Sequence, residues 1–243
     1  MSDNTNGALS NGTEITWLGH AAFRITSGDG TAILTDPFLT GNPSTPAGEQ
    51  SQDRVDIIVP SHGHGDNFAD TADIAKRSGA TVVCIFELSQ WLAKQGVENV
   101  VGMNIGGTVD VKGIQITMTP AWHSSSIADG DSLVPGGTAC GFVIQLADGF
   151  TIYFSGDTGV FLDMQLIAKL HHLDLAILSI GDHFTMGPRG AAEAIRLLSI
   201  KKVIPMHYGT FPMLTGTPEK LREETSDISG LEIYAIKPGE TLR

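Results

Sequence analysis

Apolar positions come in short runs separated by Gly, Asp and Pro. The runs at 15–18, 22–26, 32–35 and 55–59 have the length and turn-residue borders of β-strands. Their close spacing predicts antiparallel pairing at the start of the fold. A helical rhythm begins at Asp66, where an Asp-Asn pair precedes Phe68, Ala72, Ile74 and Ala75 and the pattern stops at Gly79. That reads as one capped amphipathic helix. A strand at 81–85 and a helix over 88–94 follow. Further strands are predicted at 114–119, 140–146, 151–154, 175–180 and 203–206, with helices over 161–170 and 191–198, so the second half repeats the plan of the first. The opening residues are polar and rich in Gly and Asn, which predicts a mobile tail over 1–13 and a single domain over 14–243. Residues 41–51 and 124–137 are the longest stretches without a pattern and are candidate active-site loops.

Composition narrows the function classes. With 41% hydrophobic and 17% charged residues among 243, the chain has the material for a sizeable core and is neither disordered nor a coiled coil. A net charge of -12 opposes attraction to nucleic acid and to anionic membrane surfaces. Cys84 and Cys140 sit inside apolar runs and are expected to be buried, reduced thiols. No apolar run approaches the length of a membrane span, and the first residues lack the basic end and apolar stretch of a signal peptide. The expectation is a cytoplasmic protein acting on a small molecule, with no nucleic-acid or membrane partner and with homo-oligomerisation left open.

Candidate chemistry lies where the strands end. His62 and His64 follow the run at 55–59, with Asp66 at the start of the predicted helix; His123 follows 114–119, Asp157 follows 151–154 and His207 follows 203–206. A lone His-x-His is a weak motif, but imidazoles and carboxylates repeated at strand ends suit one or two divalent transition metals, zinc first and manganese or iron(II) next. His20, Asp36 and His183 also follow apolar runs. His171 and His172 fall near a predicted helix end, where positive charge complements the helix dipole, and stay outside the candidate site.

The segment Ser61-His-Gly-His-Gly-Asp-Asn67 resembles the His-x-His-x-Asp-His signature of the metallo-β-lactamase superfamily. Trp17-Leu-Gly-His-Ala-Ala-Phe23, Leu34-Thr-Asp-Pro37, Phe184-Thr-Met-Gly-Pro188 and Met206-His-Tyr-Gly-Thr-Phe-Pro212 resemble its UlaG-like metal-dependent hydrolases. The resemblance implies an α+β fold, a four-layer αββα sandwich with the site along one edge. It also implies a first metal on His62, His64 and His123, a second on Asp66 and His207, and Asp157 bridging both. Position 67 departs from the signature: Asn67 offers an amide oxygen where the pattern has imidazole, a weaker donor that would lower occupancy of the second site. His183 is a candidate replacement ligand. The implied reaction is hydrolysis by metal-activated water or hydroxide, with Asp66 orienting it or accepting a proton. His20, His183 and Tyr208 are candidates for contacting substrate or protonating the leaving group, and Asp36 for orienting a ligand histidine. A carbonyl ester or lactone is the favoured substrate. The alternatives are a phosphodiesterase and a non-catalytic metal-binding or ligand-sensing module with a degenerate second site. Oxygen-reducing diiron relatives carry Glu where this chain has His64, which disfavours a redox role.

Overall fold

The computed structural model describes Leu9 and residues 12–243. In chain order the strands are β1 (Glu14–Gly19), β2 (Ala22–Thr26), β3 (Ala32–Thr35), β4 (Ile57–Val59), β5 (Thr81–Ile85), β6 (Val100–Met103), β7 (Thr108–Val111) and β8 (Ile114–Pro120). They continue with β9 (Ser126–Asp129), β10 (Ser132–Pro135), β11 (Cys140–Gln145), β12 (Thr151–Phe154), β13 (Leu175–Ser179), β14 (Lys202–Met206), β15 (Glu232–Ile233) and β16 (Thr241–Leu242). The helices are α1 (Gly65–Phe68), α2 (Thr71–Ser78), α3 (Phe86–Lys94), α4 (Met164–Leu170), α5 (Pro188–Leu198) and α6 (Pro218–Glu224).

Two seven-stranded sheets share one design. The first runs β16-β1-β2-β3-β4-β5-β6 and the second β15-β14-β13-β12-β11-β8-β7. Each is antiparallel on one side and parallel on the other, the change falling at β3–β4 and at β12–β13. Strand alternation then separates the layers. Ile152, Phe154 and Ile177 join Phe23, Ile25 and Ile33 of the first sheet in one core. Their neighbours Tyr153, Ala176 and Leu178 pack against Met164 and Ile167 of α4 and Ala191 and Ile195 of α5. On the other side, α2 and α3 add Ile74, Ala75, Leu88 and Leu92 to the first core. This is the αββα order, and each fully buried aliphatic or aromatic side chain contributes about 1.5–3 kcal/mol.

Three expectations are corrected. The helix expected from Asp66 to Gly79 is two, because Asp70 Oδ2 turns away to accept the backbone N–H groups of Leu39 (2.7 Å) and Thr40 (3.0 Å). The stretch 124–137 is not structureless: it holds the β9–β10 hairpin, paired from Ser126↔Pro135 to Asp129↔Ser132. In 41–51 a short 3-10 turn forms at Ala47–Glu49. Most of the expected tail lies outside the described residues, although Leu9 packs on the core and Thr13 is buried. Cys84 and Cys140 are free and buried. Among the described residues no helix is long and apolar enough to cross a membrane.

Candidate metal centre

The strand ends converge on one edge of the sandwich. His20 occupies the turn from β1 to β2, Asp36 follows β3, and His62 and His64 lie on the loop from β4 into α1, which carries Asp66 and Asn67. From the second sheet, His123 follows β8, Asp157 follows β12 and His207 follows β14. Two groups result. Ligand atoms of His62, His64 and His123 lie within 4.8 Å of one another, and so do those of His20, Asp66 and His207. Asp157 stands between them, with Oδ2 at 4.0 Å from His62 Nε2, 3.9 Å from His123 Nε2 and 2.9 Å from His207 Nε2.

Several polar atoms of this edge lack the partners that burial demands. His20 Nε2, both ring nitrogens of His207 and Asn67 Oδ1 are buried without a hydrogen bond, even though His207 Nε2 is so close to Asp157. The imidazoles His62 Nε2 and His64 Nδ1 approach to 2.9 Å. Burial favours the neutral form of His62, lowering its pKa to about 3, and it lowers those of His123 and His20 as well. Burial alone would raise Asp157, but the neighbouring His207, His62 and His20 hold its carboxyl well below the usual range. Burial likewise lowers His207, and Asp157 overcomes it to leave a raised value. Imidazole donors around an ionised carboxylate, three of them held neutral by burial and some ring nitrogens left without a hydrogen bond, fit a divalent transition metal.

A buried relay supports the donors. Asp36 is fully buried and accepts the Ser61 backbone N–H (2.6 Å), the Ser61 hydroxyl (2.7 Å) and the Asn67 amide (2.9 Å). Ser61 Oγ in turn lies 2.9 Å from His62 Nδ1. Burial pushes the Asp36 carboxyl up to about 8, with the Ser61 and Asn67 donors pulling the other way. Asp36 therefore orients His62 through Ser61, the partner that metal-ligating histidines commonly have on their second nitrogen. The conformations are demanding too: His20, Asp36 and His207 have φ of 55°, 35° and 57°, a region non-glycine residues avoid unless their surroundings enforce it. Gly181 makes room for the last of them, since a Cβ there would lie 1.9 Å from the His207 carbonyl oxygen.

Some sequence candidates fall elsewhere. Asn67 is buried, but its amide nitrogen points to Asp36 and, at 3.3 Å, to Asp157 Oδ1; it behaves as a hydrogen-bond donor to carboxylates. His183 is exposed, sits edge-on to Phe184 at 4.5 Å and belongs to neither donor group, because its left-handed turn (φ 58°) carries it outward from β13. Tyr208 packs on Trp17 with ring centroids 5.2 Å apart, and burial pushes its phenol up to about 12. His171 caps the end of α4, while His172 is exposed and lies 3.6 Å from Asp174. Sequence reasoning missed Ser61 and Thr210. Ser61 had a signal, being beside His62; Thr210 lies within the 206–212 segment, but its role did not show because its partner His20 is 190 positions away.

Comparison with known proteins is consistent with this geometry. The profile of a family described as "Beta-lactamase superfamily domain" matches residues 31–208. A UPF0173 metal-dependent hydrolase of Koribacter versatilis is 48% identical over 230 residues, covering 95% of this chain and 97% of its own. A second, from Rubrobacter xylanophilus, is 49% identical over 233 residues, covering 95% and 96%. Among solved structures, a novel metallo hydrolase from the hyperthermophilic archaeon Ignicoccus hospitalis superposes with a TM-score of 0.83 at 33% identity, covering 94% of this chain and 97% of that one.

Proposed function

The chain belongs to the metallo-β-lactamase superfamily and is one of its metal-dependent hydrolases, and from that premise we propose that it cleaves a carbonyl ester or lactone in a small molecule. His62, His64 and His123 would hold one ion and Asp66 and His207 a second, with Asp157 shared. Residues 14–243 act as one unit in this reading. The observation that carries it is the position of Asp157, whose Oδ2 faces histidines of both groups. Nitrogen and carboxylate donors suit Zn2+ best, and Mn2+ or Fe2+ next.

A divalent cation bound there supplies Lewis acidity and brings the pKa of water toward about 7. The chain's own residues do the rest. Asp66 is more open than Asp157, with about a third of its side chain exposed against 2%, so it is the carboxylate that can orient the attacking water and take up its proton. The Asp36–Ser61 relay holds His62 in place. Phe38 and Phe211 flank His20 edge-on, at 6.2 Å and 5.6 Å, and keep water from that side of the centre. The preference for a carbonyl ester or lactone over a phosphodiester rests on the resemblance of the 17–23, 34–37, 184–188 and 206–212 segments to UlaG-like hydrolases.

The test is turnover of matched panels of esters, lactones and phosphodiesters under defined metal loading. Hydrolysis of carbonyl substrates is expected to require metal, and His62→Ala to lower kcat/KM by about a hundredfold or more, the scale on which loss of a supporting metal partner already acts. Turnover confined to phosphodiesters, or activity indifferent to metal and to His62→Ala, would overturn the proposal.

A further inference from the structure

We infer that His20 is the imidazole ligand of the second metal position, filling in this chain the place that Asn67 leaves vacant, and that Asn67 instead positions Asp157. The inference rests on the reading of this edge as a metal centre and adds to it a ligand from a different part of the chain.

Asn67 is anchored by its amide nitrogen and offers only a weak amide oxygen to an ion. Its amide nitrogen faces Asp36 Oδ2 and Asp157 Oδ1, so exchanging its oxygen and nitrogen would set a carbonyl against two carboxylate oxygens. With Oδ1 of Asp157 tied to that amide, Oδ2 is the oxygen left to face His62, His123 and His207.

His20, like Asn67, has a buried acceptor atom without a partner, but its imidazole is the stronger donor to a transition metal. Its Nδ1 lies 3.0 Å from Thr210 Oγ1, and donating its proton there leaves the Nε2 lone pair free. Nε2 is buried with no hydrogen bond and is 3.4 Å from Asp66 Oδ2. Ligand atoms around a tetrahedral ion with bonds of about 2.0 Å sit about 3.3 Å apart, so this spacing suits two ligands of one ion. The ring lies 4.0 Å from that of His207, and the His20 carbonyl accepts the His207 backbone N–H at 3.1 Å and the Trp17 indole N–H at 2.9 Å. The left-handed backbone of both histidines is thus locked in one arrangement that aims both rings at Asp66. A histidine serving only as packing would have no reason to hold a strained conformation with a buried ring nitrogen set against a carboxylate outside hydrogen-bond geometry.

The experiment uses the full chain, freed of metal and titrated with Cd2+ after incorporation of 15N-labelled histidine. Wild type is expected to take two ions, the second showing 113Cd coupling to two imidazoles. His20→Asn is chosen because Asn tolerates positive φ. It should keep the first ion, remain folded by circular dichroism and weaken the second ion about a hundredfold or more. Thr210→Val should weaken it by about 10–100-fold, the range for loss of a ligand's supporting partner. A second ion coupled to one imidazole only, or undiminished in His20→Asn, would overturn the inference; the wild-type spectrum decides if the variant fails to fold. One ion in wild type, held by His62, His64 and His123, also overturns it but leaves a metal centre standing. No ion at all would overturn the proposed function itself.

Discussion

At the scale of single residues, the centre depends on groups that never touch the proposed ions. Asp36 accepts three hydrogen bonds in full burial and steers both His62 and Asn67. Asp36→Asn keeps the shape and a residue type tolerant of φ 35°, yet it sets an amide N–H where an acceptor is needed. The expected outcome is a loss of about 1–3 kcal/mol in stability and a first metal bound about 10–100-fold more weakly. Denaturant titration and metal titration check the two parts separately. Equal stability and equal metal affinity in the variant would remove Asp36 from the account. The residues at the ends of apolar runs were legible in the sequence because a strand that enters the core must release its polar residues at its end. His20 was legible as a strand-end residue but not as a neighbour of Asp66 and His207, since those contacts join the turn after β1 to distant parts of the chain, His207 almost 190 positions later. Proximity of His183 to the motif could not be judged from sequence either, because a single left-handed residue decides which way it points.

At the scale of elements, local pattern found the buried strands and missed what is decided by distant partners. Strands β12, β13 and β14 are mostly apolar and, Lys202 excepted, fully buried, flanked by core or helices on both faces, and their sequences say so. By contrast, β7 alternates between exposed and partly buried positions, and β15 and β16 are two residues long; they are strands only because a neighbour offers them an edge. The α1–α2 break has the same origin, since it exists for the loop at Leu39 and Thr40. Asp70→Ala is therefore expected to cost about 1–3 kcal/mol by stripping two backbone donors of their acceptor. Hydrogen exchange at the amides of Leu39 and Thr40 should accelerate while β12 and β13 keep their protection. Unchanged exchange at those two amides would show that Asp70 does not hold the loop.

At the scale of the whole molecule, charge and connectivity act together. A net charge of -12 predicts no appreciable binding of mixed-sequence duplex DNA or RNA at physiological salt. A fluorescence titration checks it, and tight binding that weakens steeply with added salt would contradict it. The sandwich itself was legible only through resemblance to a family, because alternation within a strand says which faces are buried but not which strands lie side by side.

The pairing of β16 with β1 has a temporal meaning. Ile15 faces Leu242, Trp17 exchanges backbone bonds with Gly239 and Glu240, and the side chain of Arg243 reaches Glu14 at 2.7 Å. A chain emerging from the ribosome makes β1 early, and that strand gains its outer neighbour only once residues 241–242 have been made. Until then β1 presents a bare edge, open to pairing with another nascent chain. Since β1 leads directly into the turn that carries His20, docking of β16 and steadying that turn become one event.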